Sequence, residues 1–312
     1  MRVHDGHASP RHAPPVGRPV NVEGPERRER NRQQLASLAK WCATVAAVPA
    51  LVVALVLLVI GNLVLAILVA IVLYAAFGAW VYLGLRRYGA TLLADLGPVP
   101  AEGDEYARLH NLAEGLCLAH GLAKPELWVI ETESRNVATI VTGERERDRE
   151  SALIVTRGLL DALSRVELEG VLAQQLSHVR DGDTALATFV AAVTALPIVG
   201  RLLASRAGAC LDPELEAHGD LAAVAMTRYP PGLAGALEKL VAQSTEVAGV
   251  APTGAHLWLA DPLPAGPAAA PGVRSGPPAV EPGAAEAAVV DLREPFVPHP
   301  ALVDRIAVLR EL

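Results

Sequence analysis

Charge is missing from the longest apolar stretch of this chain: no Asp, Glu, Lys or Arg occurs from Trp41 to Leu85, a run of 45 positions. A single helix of that length would measure about 67 Å, about twice the hydrocarbon core of a bilayer. Gly61-Asn62 divides the run into two stretches of about 20 residues, one membrane crossing apiece. A cleaved signal peptide explains the run poorly, because its apolar core is short and lies near the N-terminus. Cysteine is scarce as well. Cys42, Cys117 and Cys210 are odd in number and far apart, with no C-x-x-C spacing, which argues against a disulfide framework and for reduced, mostly buried thiols. The net charge of −7 argues against a nucleic-acid partner. Lysine is rare beside arginine, a usage in keeping with a GC-rich bacterial gene.

What is abundant is apolar: 52% of the 312 residues, with a positive mean hydropathy. Lys40 precedes the uncharged run and Arg86-Arg87 follows it. By the positive-inside rule both outer ends face the cytoplasm of a bacterial cell and the Gly61-Asn62 turn faces out. Trp41, Trp80, Tyr82 and Tyr88 sit where interfacial anchors belong. Residues 1–40 carry five prolines among arginines and almost no large apolar side chain before Leu35. They read as a disordered basic tail that sets topology, with contact to anionic head groups as the less favoured alternative. The two spans then occupy residues 41–85, and a further domain runs over 86–260.

Within that domain the patterns are mixed, and the fold class they indicate is α+β, mostly α. Leu109, Leu112 and Leu116 mark an amphipathic helix over 104–121. Residues 126–131, 137–142 and 152–156 read as the strands of a small sheet, with a charged loop over 144–150. Thr184 to Ala204 is long and apolar enough to be called a span, but a single crossing would separate residues that belong together on either side of it. Pro197 and Gly200 interrupt it, so a bent helical hairpin or interfacial helix is expected. Residues 213–226 and the stretch opened by Pro230-Pro231 are helical, the latter with proline suited to a first turn. His256–Ala260 reads as a short strand. Ala, Pro and Gly then crowd a linker over 261–295, and a C-terminal helix closes the chain within 296–312.

The organising stretch is SRVELEGVLAQQLSHVRDGD, residues 164–183. Ser164 and Glu167 have capping-box spacing, and Leu168, Val171, Leu172, Leu176 and Val179 form one apolar helix face. Gln174 and His178 are four apart and share a side of that helix. A zinc peptidase places H-E-x-x-H at such a position; this chain reads Gln174-Gln175-Leu176-Ser177-His178. The frame LLDALSRVELEGVLAQQLSHVRDGD resembles the active-site helix of the HtpX-like membrane zinc metallopeptidases. Glu216-Ala-His-Gly-Asp220 resembles that family's E-x-x-A-D segment, and RYPPGLAGALEKL, HLWLADPL and HPALVDRIAVL follow in the family's order.

The resemblance implies a zincin-like domain with zinc as its cofactor. His178 and Glu216 would be metal ligands, and Gln174 would stand in a third ligand position. Gln175 would stand in the place of the general-base Glu, Asp183 and Asp220 would lie behind the ligands, and Asn136 would open the edge strand of the substrate cleft. An amide oxygen is a poor ligand beside imidazole, and an amide has no proton to shuttle near neutral pH. Zinc is therefore expected to be weak or absent. His218, two positions from Glu216, points nearly the opposite way on a helix and is a poor substitute. Three readings follow: a proteolytically silent relative with a binding or regulatory role, a weakly active zinc metalloendopeptidase of membrane protein quality control, and a structural membrane protein whose remnant site is core packing. The partners implied are the lipid bilayer, membrane proteins or unfolded peptide segments, and no nucleic acid.

Overall fold

Two long helices, α1 (Gly24–Val59) and α2 (Leu63–Leu96), pack on one another and meet near Gly61. The computed structural model describes residues 24–59, 61, 63–142, 151–264 and 299–312. The tail before Gly24, Asn62 of the turn, the charged loop over 144–150 and most of the expected linker lie outside the described residues. Both helices are long and apolar enough to cross a membrane. Their outer faces leave Leu51, Leu55, Val59, Val64, Ile71 and Val72 exposed, a surface suited to hydrocarbon rather than water.

Residues 24–40 differ from expectation: they are the first turns of α1, not a disordered tail. Two physical reasons account for this. A helix nucleated in the apolar run extends backwards at little cost per residue. In addition, Arg27 and Asn31, one turn apart, reach buried partners in the domain, so the segment is ordered by polar contacts that a count of apolar residues does not register. At the other end α2 runs on to Leu96, beyond the expected boundary at residue 85.

The sheet contains β1 (Val99–Pro100), β2 (Glu126–Ile130), β3 (Val137–Val141) and β4 (Ser151–Thr156), in the order β1-β2-β4-β3. β2 and β4 are parallel, with Val129 opposite Val155. The two outer pairs are antiparallel. β1 escapes the sequence because two residues ending in proline carry no alternation. β4 is buried on both faces, which explains its unbroken apolar run. Leu153 and Val155 pack with α3 (Ala107–His120) and the helix carrying Gln174. Ala152 and Ile154 pack with Leu38, Val81 and Leu92 of the hairpin. The sheet is thus a layer between the membrane-type hairpin and the rest of the domain. Gly89 matters there, because a Cβ at that position would overlap the Val141 carbonyl oxygen where α2 meets β3.

After α4 (Arg157–Ala162), α5 (Arg165–Asp181) begins with the expected capping box. Ser164 Oγ accepts from the Glu167 amide, and the Glu167 carboxylate accepts from the Ser164 amide. Gly182 ends α5 in the left-handed region, at φ 77°. The awkward apolar segment is a pair of helices, α6 (Asp183–Ala195) and α7 (Pro197–Gly208), bent at Leu196. At about 20 Å neither is long enough to cross a bilayer alone. Val190, Ala191 and Val193 of α6 are buried in the domain, so this apolar run is core.

α8 (Leu215–Thr227) and α9 (Pro230–Val241) pack on α5. Gly170 permits the α5–α9 contact, since a Cβ there would come within 2.8 Å of the Leu233 amide. The expected strand at His256–Ala260 is instead a 3-10 helix, Pro252–Leu257, followed by one antiparallel bridge from Trp258 to Ala138. Pro252 and Gly254 suit a tight turn and leave too few residues for a longer ladder. α10 (Leu302–Glu311) docks on α9 and α8.

Candidate functional site

The second half of α5 is buried on nearly every side: Gln174, Gln175, Ser177 and His178 are all inside. Buried polar groups must find partners, and these form one continuous chain of hydrogen bonds. Thr139 of β3 donates through Oγ1 to Gln175 Oε1 at 2.6 Å. Gln175 Nε2 donates to Gln174 Oε1 at 2.7 Å. Gln174 Nε2 then lies 3.0 Å from His178 Nε2 and 3.0 Å from Glu216 Oε2. One amide group therefore sits between the two residues that sequence reasoning named as metal ligands. His178 Nδ1 is 3.0 Å from Asp183 Oδ2 and donates to it, so in the neutral ring Nε2 is left to accept from Gln174.

Two arginines from distant parts of the chain close the arrangement. Arg27, from the first turns of α1, donates through Nε to both oxygens of Asp183, and Asn31 adds a bond to Oδ1. Arg305, from α10, reaches Asp220 through Nε and Nη2 at 2.8 and 2.6 Å and places Nη1 3.1 Å from Glu216 Oε2. Burial raises the Asp183 carboxyl, but the bond from His178 and the charge of Arg27 outweigh it and hold the pKa at about 2. For His178 burial works downward, and the bond to Asp183 with the nearby Glu216 charge moves it above its ordinary value. Asp220, unlike Asp183, is moved upward: burial raises it, against the pull of Arg305.

The structure brings Gln174, Gln175, His178, Glu216, Asp183 and Asp220 into this network. Asp220 is joined to Glu216 through Arg305, which holds both. His218 turns away, its Nδ1 2.8 Å from the Glu214 carbonyl oxygen. Asn136 lies at the start of β3, and β3 is an edge strand. Its buried side chain is spent on backbone: Nδ2 donates to the Thr245 and Ala260 carbonyls, and Oδ1 accepts from the Val137 and Ala260 amides. The edge itself is engaged by the chain's own groups. The Leu259 amide donates to the Val137 carbonyl, Trp258 bridges Ala138, and the Val141 amide donates to Thr188 Oγ1. Between this edge and the polar network remains a cavity of only about 20 Å³, lined in part by Thr139, Gln175, His178, Glu216 and Trp258. That is room for about one water molecule.

Sequence reasoning missed Arg27, Asn31, Thr139, Trp258 and Arg305. The closing segment containing Arg305 did carry a family resemblance, whereas Arg27 was one arginine among many.

The fold and this site define a class: a mostly helical protein with an apolar N-terminal hairpin and a peptidase-type helix set against the edge strand of a small sheet. Comparison with known proteins gives the class a family. The protein named Protease HtpX homolog of Dictyoglomus turgidum is 30% identical over 193 residues, covering 51% of this chain and 62% of that one. Its namesake in Thermoanaerobacter pseudethanolicus is 39% identical over 109 residues, 35% of each chain. That of Tropheryma whipplei is 28% identical over 193 residues, covering 51% and 65%. No family model matches. These similarities support an HtpX-like family for the chain, which spans from about a third to two thirds of the length of the curated relatives it matches. The family is one of zinc metalloproteases, and with the two apolar helices the kinship points to membrane association.

Proposed function

We propose that this protein is a membrane-anchored HtpX homologue that has given up zinc and peptide hydrolysis and serves a binding or regulatory role at the membrane. The observation that carries this is the position of the Gln174 amide. A catalytic zinc needs converging lone pairs from three protein ligands and an open position for water. Here the lone pairs of His178 Nε2 and Glu216 Oε2 are both engaged by one N–H₂ group, and the same Glu216 oxygen is paired with Arg305. Gln175, in the general-base position, has its amide nitrogen and oxygen tied to Gln174 and Thr139. This donor set does not fit zinc. Among the described residues no group of three or more His, Cys, Asp or Glu is placed to hold a metal ion.

Such a site binds the fold together in place of turning over a substrate. Its bonds join α1, β3, α5, α8 and α10, so the residues that a peptidase would use for chemistry here connect the hairpin to the domain. Partners would be membrane proteins or unfolded segments that reach the domain from the bilayer.

Metal analysis of freshly purified protein should find no stoichiometric zinc. A chelator should leave its melting temperature unchanged, and casein should show no cleavage that the chelator abolishes. Tight stoichiometric zinc, or chelator-sensitive hydrolysis, would sink this reading in favour of a weak metalloendopeptidase. For the orientation, Lys40 and Arg86-Arg87 at the outer ends of the hairpin support a reading with both ends in the cytoplasm. Reporter fusions after Arg87 and at Leu312 should therefore both report cytoplasm, and an external signal at either would refute that orientation.

A further inference from the structure

A second cavity, of about 710 Å³, lies far larger and less polar than the first, between α1, α2 and α6. Ala39, Cys42 and Ala46 line it from α1, Gly78 and Tyr82 from α2, and Phe189 from α6. On each long helix these positions recur at three- and four-residue steps, so they form one continuous stripe along the groove. From Tyr74 to Arg86 the groove follows α2 for about 18 Å, close to half the roughly 30 Å hydrocarbon core of a bilayer. That is the depth of one lipid leaflet. At the basic end of the hairpin Arg86 lines the same cavity, with Nη1 2.9 Å from the Tyr82 hydroxyl. The next residue, Arg87, adds a second positive charge at that end of α2.

We propose that this groove holds an acyl chain of an anionic phospholipid, with the phosphate at Arg86. Two observations select that occupant. The walls are apolar and small-sided over a leaflet's depth, while cationic charge is confined to one end, where a head group would lie. The space is also not one that side chains are about to fill, since a Cβ added at Gly78 would meet no atom within 4 Å. The groove and the polar network lie on two sides of α6, with Thr184 and Ala187 on the network's side and Ala185, Thr188 and Phe189 on the groove's side. The proposal rests on the membrane placement above and not on the state of the polar network.

The test uses the full chain extracted in mild detergent, washed free of loosely held lipid, and analysed for retained phospholipid by phosphate assay and mass spectrometry. Phosphatidylglycerol and phosphatidylcholine are then added back as probes. The wild-type chain should retain a single phospholipid and prefer phosphatidylglycerol. Gly78→Leu, which projects a side chain into open space, should lose the retained lipid while keeping the wild-type melting temperature. Ala43→Leu, from the opposite wall, provides the same blockade should the first variant fail to fold. Arg86→Gln should keep the lipid and lose roughly fivefold of the preference for the anionic head group, the effect expected of one surface arginine. Equal retention by wild type and both filled variants would mean annular lipid only and would overturn the proposal. So would photo-crosslinking from position 78 to a polypeptide. Wild-type chain in the membrane fraction without retained lipid would overturn the lipid alone; wild-type chain in the soluble fraction would overturn the membrane placement with it.

Discussion

Arg305→Ala is expected to destabilise the folded protein by roughly 3–5 kcal/mol, the range found when one partner of a buried ion pair is removed. For a domain of this size that corresponds to a fall in melting temperature on the order of 10 °C. The reason lies in what the substitution leaves behind. Glu216 and Asp220 stand one turn apart on α8, 8% and 4% exposed, and Arg305 is the cation between them. Without it two carboxylates face each other in a poorly solvated space, and the Leu259 carbonyl also loses its bond from Nη1. Arg305→Lys should recover only part of the loss, since a single ammonium cannot reproduce the forked contact to Asp220. The triple variant Arg305→Met, Glu216→Gln, Asp220→Asn should recover most of it, because it removes the unpaired charge along with the pair. If Arg305→Ala melts within a degree or two of wild type, α10 does not hold the site in the way described.

This result bears on how much the sequence discloses. The helix carrying Gln174 and His178 was legible because its start, periodicity and end are local: Ser164 and Glu167 cap it, and Gly182 ends it, within one stretch of chain. The three longer strands were legible for the same reason. The two arginine clamps were not. Arg27 lies 156 positions from Asp183, and Arg305 lies 85 from Asp220, and no periodic pattern links residues so far apart. The order of residues 24–40 was hidden by the same contacts, because composition measures apolar burial and these turns are fixed by a buried guanidinium and amide. The site is an intermediate case. Spacing put Gln174 beside His178, and the family's E-x-x-A-D segment nominated Glu216. That the amide of Gln174 would turn its nitrogen toward both, and so close the site upon itself, depends on rotamers and tautomers that only the assembled network determines.

That closure is what the strongest chemical prediction tests. Gln174→His should raise zinc affinity at least 100-fold, on the order of 3 kcal/mol, because it replaces the shared N–H₂ donor by a third nitrogen or oxygen ligand facing His178 and Glu216. Without metal the same variant should be less stable than wild type. It removes the acceptor that satisfies the Gln175 amide nitrogen, an orphaned buried group that costs about 1–3 kcal/mol, and leaves Glu216 held by Arg305 alone. The two effects give a signature that a merely structural role would not: the wild-type melting curve ignores zinc, whereas the variant's rises with it, by about 2.7 kcal/mol at a hundred times the dissociation constant. Gln175→Glu alone should bind no zinc and should destabilise, since its carboxylate would meet Gln174 Oε1, acceptor against acceptor. Only the double variant brings together the ligands and a titratable carboxylate beside Thr139. It should bind zinc and cleave casein weakly, held back by Trp258 on the edge strand and a cavity of about 20 Å³. A Gln174→His variant whose melting is indifferent to zinc would mean that Arg305 keeps Glu216 from the metal. The site would then be closed by the clamp and not by the glutamine.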